Sequence, residues 1–295
     1  MPCLFCESTH IIKLNLPENQ FNKRSYSYKK CCECSLVFID PVPDANDLKV
    51  IYSSDYQGEI KPEQVNIHKK MPGLRFAYDQ HLRFIRKNEG SNMVDFGCGS
   101  GHFIYNAGLN GLKLDGVEFS ESVIETLKRT MPLHQFHSID DFYASDQKYD
   151  VIRVSNVLEH FTEPLKEFNK LTLKLKDKGV FVIEGPLEMN ASLVNWLKWN
   201  YLKLRKRMSS KYVTFHDPTH IFFSDRVNQL HFFEKFDLIT ESFEIKENTW
   251  PYPENGKQIN SAGMFIKYVI GQLSLLIGAV VPVYGNTFLY VGRKK

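Results

Sequence analysis

Apolar and polar positions fall into two alternating patterns between residues 93 and 185 of this chain. Short runs of consecutive apolar residues, closed by Gly, Asp or Asn, alternate with longer segments in which apolar residues recur every three or four positions. The short runs are typical of buried parallel strands, and the longer segments are typical of amphipathic helices. Strands that alternate with helices in this way predict a doubly wound α/β sheet with right-handed crossovers.

The same pattern predicts where the individual elements lie. Strands are expected at residues 93–96, 114–118, 134–137, 148–155, 179–184 and 287–291. Helices are expected at residues 74–87, 104–110, 120–130, 165–175, 191–208 and 264–283. His81 falls on the apolar stripe of the first of these helices, so we expect it to be structural. The bare fold does not need the roughly fifty residues before residue 236, which therefore predict an inserted lid.

Three glycines alternate directly after the first predicted strand, in the run VDFGCGSGHF from residue 94 to residue 103. Gly97, Gly99 and Gly101 lack Cβ atoms, so a ligand can approach the backbone closely at these positions. The spacing differs from the G-x-G-x-x-G of dinucleotide sites, and no Lys-Ser/Thr pair follows to hold a phosphate. The run predicts a strand–loop–helix site for a ligand without phosphates.

Two further runs follow the glycine loop in the chain. The second strand ends at Glu118, 23 residues after Asp95, where a carboxylate can accept hydrogen bonds from both hydroxyls of a ribose. Residues 148–161 form a fourth strand followed by a V-L-E-H turn. In this order, the three runs resemble the cofactor-binding motifs of class I S-adenosylmethionine-dependent methyltransferases.

This resemblance implies a Rossmann-like sheet of seven strands, the last of them antiparallel, and S-adenosylmethionine as the cofactor. In the family, the first acid and the glycine turn hold the amino-acid end of the cofactor. In the family, a side chain after the third strand lies beside the adenine amine. Asp140 and Asp141 are the candidates in this chain, and each is equally well explained as a solvated loop carboxylate. The cofactor-binding residues implied here are Asp95, Gly97, Cys98, Gly99, Gly101, Glu118, Phe119, Asp140, Asp141 and Asn156.

The cysteines are grouped near the N-terminus in two C-x2-C pairs. Cys3 and Cys6 form the first pair, and Cys31 and Cys34 form the second after 24 intervening residues. Four thiolates at this spacing predict a tetrahedral Zn²⁺ site in a zinc ribbon that is too small to fold without metal. Cys32 can replace Cys31 as the ligand, and free or redox-active thiols are the alternative interpretation.

Length and charge limit the classes of protein that this chain can belong to. With 295 residues it can form one large α/β domain and a small module. Its net charge of +3 is spread along the chain, which argues against a nucleic-acid interface built on a basic face. The N-terminus lacks the basic start and long apolar core of a secretion signal, so we expect a cytoplasmic protein.

These observations divide the chain into five parts. We expect a zinc ribbon at 1–40, a connector with a helix at 41–92, the cofactor-binding core at 93–185, a lid that borders the acceptor site at 186–235, and the rest of the sheet with an apolar helix at 236–295. The residues after the second cysteine pair resemble a zinc-ribbon leader in a methyltransferase subgroup that modifies sugars and surface polysaccharides. That subgroup usually has Gly where this chain has Ser35.

The predicted lid contains two kinds of sequence. Residues 191–208 combine Trp and Leu with Lys and Arg, which favours either a lid helix packed on the domain or a helix that lies on an anionic membrane or binds a lipid-linked substrate. Residues 214–224 resemble a stretch that borders the acceptor pocket in sugar-modifying relatives. A neutral imidazole can take the acceptor proton, so the candidate bases are His220, His216 and His160, in that order. Asp217 or Glu159 is available to orient one of them.

The apolar run at 264–283 is long enough to span a bilayer. Lys267 and Gln272 interrupt it, however, and a spanning helix would separate residues 287–291 from the sheet. We therefore expect a helix packed on the sheet or lying at a membrane surface, and peripheral attachment to the inner face of a membrane stays open.

Three functional hypotheses follow. The first is methylation of a small acceptor, a sugar linked to a nucleotide or lipid in glycan synthesis, with a lipophilic small molecule at the membrane surface as a variant. The second is RNA methylation, in which the ribbon would bind RNA. The chain lacks the dominant positive field that RNA binding would need. The third, a non-catalytic binding module, is disfavoured because Asp95, the three glycines and Glu118 are all present.

Overall fold

The computed structural model describes residues 1–51, 78–87, 92–249 and 252–295. The N-terminal part contains β1 (Ile11–Lys13), β2 (Glu18–Phe21), β3 (Arg24–Cys31), β4 (Val37–Asp40) and α1 (Ala45–Ile51). The middle contains α2 (Tyr78–Arg86), β5 (Met93–Phe96), α3 (His102–Leu109), β6 (Asp115–Glu118), α4 (Glu121–Thr130), β7 (Phe136–Ser138), α5 (Ile139–Ala144), β8 (Tyr149–Ser155), α6 (Pro164–Lys174) and β9 (Leu175–Pro186). The remainder contains α7 (Leu193–Met208), β10 (Val213–Thr214), β11 (Phe222–Phe223), α8 (Arg226–Phe233), β12 (Leu238–Lys246), α9 (Ala262–Val280) and β13 (Thr287–Lys294).

A seven-stranded sheet has the order β12-β13-β9-β8-β5-β6-β7. The strands from β9 to β7 pair in parallel, and β13 is antiparallel to both of its neighbours. The predicted fold class, a doubly wound sheet of seven strands whose last strand is antiparallel, is confirmed. The strand order reverses between β5 and β8, and open α/β sheets bind ligands at the carboxyl ends of the strands at such a point.

The two central strands β8 and β9 are buried on both faces, as their continuous apolar runs predict. Phe181, Val182 and Ile183 are fully buried, and burying each such side chain stabilises the fold by about 1.5–3 kcal/mol. Two charged residues interrupt these strands in the interior. Arg153 in β8 and Glu184 in β9 are 4% and 1% exposed, so their burial requires polar partners.

Two strand boundaries differ from those predicted. β9 begins at Leu175, where the pattern predicts the end of a helix, because Leu175 is buried and pairs with Tyr149 before an exposed polar stretch. β7 begins at Phe136 because His134 lies in the preceding turn, with its Nδ1 2.9 Å from the carbonyl oxygen of Leu114. Both differences arise from tertiary contacts that periodicity does not report.

A second sheet joins the N-terminal strands to the inserted segment. Its order is β10-β2-β3-β4-β11, with β1 paired to β3, so β10 and β11 extend the N-terminal strands at both edges. The ring of Phe5 packs on Phe222 and Phe232 at centroid distances of 4.8 and 4.5 Å. The segments expected as a zinc ribbon and as a lid are therefore built into one sheet with a common core.

One helix among the described residues, α9, is long and apolar enough to cross a membrane by length and composition. Its mean hydropathy is 1.6, and 11% of the stretch is buried. Gly271 and Ser274 are its buried residues. The helix rests on the domain by this narrow stripe, and β13 follows it into the central sheet.

Several predicted features lie outside the described residues. These are most of the connector at 41–92 and the start of the helix predicted at 74–87. The described part of that helix is α2, in which His81 is fully buried.

Candidate active site

The glycine loop between β5 and α3 turns at the carboxyl edge of the sheet. Gly97, Gly99 and Gly101 have φ angles of 74°, 52° and 73°, in the left-handed region that favours glycine. A Cβ at Gly97 would lie 2.3 Å from Val157 Cγ2, and one at Gly101 would lie 2.4 Å from Met131 Cε. A Cβ at Gly99 would meet no atom within 4 Å. The outer glycines are therefore required for packing, whereas Gly99 faces open space.

Glu118 connects the end of β6 to this loop. Its Oε2 accepts a hydrogen bond from the backbone N–H of Gly99 at 2.9 Å, and its Oε1 accepts one from the N–H of Ser120 at 3.2 Å. Burial raises the pKa of Glu118, although these backbone donors oppose the change. Each carboxylate oxygen keeps a second lone pair, which a ribose hydroxyl can use. The next residue, Phe119, is half exposed at the same edge.

Asp95 lies beneath the loop and is 1% exposed. Its Oδ1 accepts a hydrogen bond from Arg153 Nη1 at 2.6 Å, and its Oδ2 has no partner among the described residues. Arg153 stacks on the ring of Phe103 and donates from Nε to His81 Nδ1 at 3.2 Å. The ring proton of His81 is therefore on Nε2, which lies 2.9 Å from Glu184 Oε2. This buried network leaves one Asp95 oxygen available to a cationic amino group.

The other predicted cofactor residues differ in how they are placed. The thiol of Cys98 is buried against β6 and burial raises its pKa, so only its backbone is placed to meet a ligand. Asn156 follows β8 with a φ of 53° and an exposed side chain. Asp141 Oδ2 accepts a hydrogen bond from Ser138 Oγ at the start of α5, whereas Asp140 is exposed there without such a bond in the described structure.

These residues fit the implied cofactor S-adenosylmethionine. The Gly99 cradle, the lone pairs of Glu118 and the unpartnered Asp95 oxygen match a ligand with an amino group, a ribose and no phosphate.

A second polar group lies beside the carboxyl end of β8. It contains Glu159 and His160 of the 3-10 turn at Leu158–His160, together with His220 of the insertion, with one side-chain atom of each within 4.8 Å of the others. The backbone N–H of Ile221 donates to the Glu159 carbonyl at 2.7 Å, and His160 Nδ1 lies 2.7 Å from the carbonyl of Thr219. These two bonds fasten the insertion to the turn and bring the histidine rings to 5.2 Å.

Glu188 is a site residue that the sequence analysis missed. It follows β9 by two residues, and its Oε2 lies 2.8 Å from His220 Nδ1 while its Oε1 pairs with Lys198. Asp217 and Glu159 were the expected orienting acids, but Asp217 is exposed and the Glu159 carboxylate lies nearer to His160. The sequence feature that could have identified Glu188 is its position, because it is an acid just past the carboxyl end of a parallel strand.

The two grouped histidines have opposite pKa shifts. Burial lowers the pKa of His160, although the Glu159 carboxylate opposes this, so its ring is neutral near pH 7. Burial also acts to lower the pKa of His220, but the Glu188 carboxylate outweighs burial and raises it. Burial would raise the pKa of Glu188, yet Lys198 and His220 keep it well below its usual range. Because the Glu188 carboxylate accepts a hydrogen bond from Nδ1–H of His220, Nε2 is left as the basic atom of that ring.

His216 is not part of this group. It is exposed, its backbone pairs with the Asn19 side chain at the edge of the second sheet, and its Nδ1 lies 3.2 Å from the carbonyl of Asp217. Of the three predicted bases, the structure brings together His160 and His220.

The predicted zinc ligands Cys3, Cys6, Cys31 and Cys34 form one cluster. Their Sγ atoms lie within 4.8 Å of one another, with Cys3–Cys34 and Cys6–Cys31 separations of 3.5 Å. Four sulfurs bound tetrahedrally to one Zn²⁺ stand about 3.8 Å apart, so the arrangement fits the ion. Cys32 is exposed and outside the cluster. Glu7 and Ser35, which follow the two pairs, have φ angles of 60° and 63°, so both adopt the left-handed backbone conformation that favours glycine.

Comparisons with known proteins agree with this geometry. The family described as "Methyltransferase domain" matches residues 67–238, which is more than half of the chain. Ubiquinone biosynthesis O-methyltransferase of Coxiella burnetii (strain Dugway 5J108-111) is 25% identical over 119 residues, covering 37% of this chain and 51% of the relative. The protein of the same name from Rickettsia bellii (strain OSU 85-389) is 25% identical over 163 residues, covering 53% and 60%. The chain thus spans about half the length of the first of these curated relatives.

Solved structures with similar folds include a SAM-dependent methyltransferase from Archaeoglobus fulgidus, which is 20% identical with a TM-score of 0.45, covering 85% of this chain and 100% of that chain. An S-adenosylmethionine-dependent methyltransferase from Mesorhizobium loti is 14% identical with a TM-score of 0.47, covering 74% and 98%. Together, the family match, the strand order and the glycine loop show that the chain belongs to the class I S-adenosylmethionine-dependent methyltransferases.

Proposed function

We propose that the protein methylates a hydroxyl group of a small sugar-like acceptor that is linked to a nucleotide or a lipid. The observation that carries this proposal is the group of Glu159, His160 and His220. Glu159 is 3% exposed, and its Oε2 has no hydrogen-bond partner among the described residues. An unpartnered carboxylate oxygen beside two imidazole rings suits an acceptor with more than one hydroxyl group. The resemblance of residues 214–224 to sugar-modifying relatives supports the same class.

The residues of this group have separate roles in the proposed reaction. Bound S-adenosylmethionine supplies an electrophilic methyl group. His220 Nε2 takes the proton of the acceptor hydroxyl as that oxygen gains the methyl, and Glu188 stabilises the imidazolium that forms. His160 and Glu159 orient the acceptor through hydrogen bonds, and Asp140 is the acid that we place beside the adenine amine. Orientation of the reacting atoms contributes a further large share of the acceleration.

A cavity near these histidines favours an acceptor that carries phosphate. It has a volume of about 320 Å³, lies between the second sheet and α7, and has an apolar floor that includes Leu16 and Met189. Lys30, Lys203 and Arg207 line it, and no ion pair of these three is found within the described residues. Cations beside an apolar floor suit a nucleoside diphosphate or a lipid pyrophosphate. Because Met189 follows Glu188, the bound phosphates would lie near the candidate base.

A lipophilic small molecule is the second candidate acceptor. The two curated relatives are named for ubiquinone biosynthesis, and the apolar α9 would bring this chain to a membrane where such molecules reside. RNA is less well supported, since Lys29 already pairs with Asp40 and the net charge is +3.

Labelling distinguishes these acceptors. Purified protein is incubated with methyl-labelled S-adenosylmethionine and with separated sugar, nucleotide, lipid, RNA and protein fractions of an extract from the source cells. We expect label in the nucleotide-sugar or lipid-linked sugar fraction, and mild acid hydrolysis then releases a methylated sugar. Label in a lipid without a sugar would favour the second candidate, and label in RNA or protein would contradict both.

The pH dependence of the reaction tests the role of His220. Its raised pKa predicts that kcat/KM increases with pH along a limb centred above about 6.5, because the base must be neutral. Glu188→Gln removes the negative charge, so the pKa of His220 falls, the limb moves to lower pH and the plateau rate drops. A limb at the same pH in both proteins would show that His220 is not the titrating base.

We further propose that Cys3, Cys6, Cys31 and Cys34 bind a structural Zn²⁺ and that the N-terminal module with the insertion forms one wall of the acceptor site. Two contacts support this placement, because together they connect the N-terminal sheet to the candidate active site. Strand β4 pairs with β11 of the insertion, and the N–H of Ile221 donates to the carbonyl of Glu159. We place the protein in the cytoplasm, where reducing conditions keep the thiols available.

Metal analysis of two neighbouring variants tests the zinc site. Cys31→Ser is expected to lose one equivalent of zinc and to destabilise the N-terminal sheet, because the binding of a structural metal contributes free energy to folding. Cys32→Ser is the matched control and is expected to retain the metal and the wild-type melting temperature. Zinc retained by Cys31→Ser but lost by Cys32→Ser would reassign the ligand, and no zinc in the wild type would refute the site.

A further inference from the structure

Helix α9 contacts the domain through one stripe of small residues. A Cβ at Gly271 would lie 3.0 Å from Thr249 Cγ2, and one at Gly278 would lie 2.8 Å from Glu247 Cβ. Between them, Ser274 Oγ donates to Glu247 Oε1 at 2.7 Å. The small side chains let α9 approach closely, and the bond to a buried carboxylate attaches it.

The opposite side of α9 is apolar and exposed. Phe265, Val269, Leu273, Leu276 and Val280 follow one another at intervals of four, four, three and four residues, so they share one face of the helix. Their side chains are between 38% and 78% exposed. Large apolar patches of this kind mark surfaces that meet a membrane or another protein.

Helix α7 lies beside α9 and supplies positive charge. It carries five basic residues and no acidic one, namely Lys198, Lys203, Arg205, Lys206 and Arg207. Trp196 and Lys203 line a groove of about 630 Å³ together with Ile277 of α9. Ser192, the N-cap of α7, donates to the same Glu247 Oε1 as Ser274 does, so one carboxylate fastens both helices.

We propose that α7 and α9 together form a docking surface for an anionic membrane, with α9 lying in the plane of the interface. The apolar face would enter the acyl boundary, and Trp196 and Tyr201, both more than half exposed, would lie at headgroup level. Arg205 and Lys206, the basic residues of α7 that neither line the acceptor cavity nor pair with Glu188, would meet anionic headgroups.

Other occupants of this surface fit less well. A membrane-spanning α9 would have to break its contacts with Glu247 and Thr249 and would pull β13 out of the central sheet. A second copy of the chain would bring two basic α7 helices together with no acid in α7 or α9 to pair with them. Charge complementarity therefore favours the membrane.

The docking surface adjoins the candidate active site. Lys198 of α7 pairs with Glu188, the carboxylate that orients His220. A protein attached through α7 and α9 would therefore hold its acceptor site close to the lipid surface. The attachment itself does not depend on which acceptor is methylated.

Vesicle flotation tests the proposal without an activity assay. Full-length protein is mixed with one of two kinds of vesicle. The first contains phosphatidylcholine alone, and the second also contains about one third phosphatidylglycerol, which gives it a negative surface potential. We expect the protein to float with the anionic vesicles and to be released by high salt. The variant Leu273→Gln/Leu276→Gln/Val280→Gln is expected to lower the partition coefficient about tenfold or more.

The matched control changes three exposed leucines elsewhere, Leu109, Leu133 and Leu173, to Gln, and it is expected to float like the wild type. Equal flotation of both triple variants, or a wild type that does not float, would overturn the proposal. Resistance to extraction by alkaline carbonate would mean that α9 spans the bilayer. A vesicle-free dimer that the α9 variant abolishes, measured by light scattering, would assign the face to a second copy.

Discussion

Gly99→Arg is expected to abolish the binding of S-adenosylmethionine while the protein stays folded. A Cβ at this position would meet no atom within 4 Å, so the Arg side chain would extend into the open space above the loop, where we expect the cofactor to contact the protein backbone. Isothermal titration calorimetry should show no measurable heat of binding, against a clear isotherm for the wild type. The positive φ of 52° strains a residue with a side chain, so thermal unfolding should show a loss of about 1 kcal/mol in the free energy of unfolding.

Gly111→Arg is the matched control, because Gly111 also has a left-handed φ, 78°, and open space around its Cβ position. It lies in the turn before β6, away from the loop, so it should suffer the same backbone strain and retain cofactor affinity. If Gly99→Arg bound the cofactor with unchanged affinity, the glycine loop would not be the cofactor site. Gly97→Ala is a poor substitute for this test, since its Cβ would collide with Val157 and destabilise the fold.

His220→Asn is expected to lower kcat by about a hundredfold to ten-thousandfold, the range that loss of a general base produces. The Asn amide can still donate to Glu188, so the buried carboxylate keeps a partner and the site keeps its shape. Cofactor affinity and melting temperature should therefore stay close to those of the wild type. Single-turnover measurements on the labelled acceptor, once identified, would separate the chemical step from product release.

Three histidine variants assign the base between them. His216→Asn alters an exposed residue outside the group and should leave kcat within about twofold of the wild type, as expected for a surface change. His160→Asn should raise KM more than it lowers kcat, because His160 is proposed to orient the acceptor. A larger loss of kcat in His160→Asn than in His220→Asn would exchange the two roles.

The buried network around Arg153 shows how the cofactor site depends on distant parts of the chain. Asp95 comes from β5, Arg153 from β8, His81 from α2 and Glu184 from β9. An isolated charge in the interior is costly, so each of these groups is tolerated because the others pair with it. His81, expected to be structural, links α2 to the residues beneath the glycine loop.

The sequence by itself determined the class of fold, and it identified the glycine loop as the candidate cofactor site. Alternation of apolar runs with helical stripes is a local property, and it specified the parallel strands because burial on both faces requires continuous apolar residues. The glycine loop and the position of Glu118 could be predicted for the same reason, since a turn and the strands beside it lie close together in the chain. The two cysteine pairs also carried their own signal, and their sulfurs do lie together.

Only the tertiary structure decided which distant residues meet. Glu188 and His220 are 32 residues apart, and Asp95 and Arg153 are 58 apart, and no periodicity in either segment indicates its partner. The pairing of β10 and β11 with the N-terminal strands likewise depends on edges that become available when both segments fold. Side-chain type reports what a residue can do, whereas burial and neighbours set its pKa, its orientation and its role, and these exist only in the folded chain.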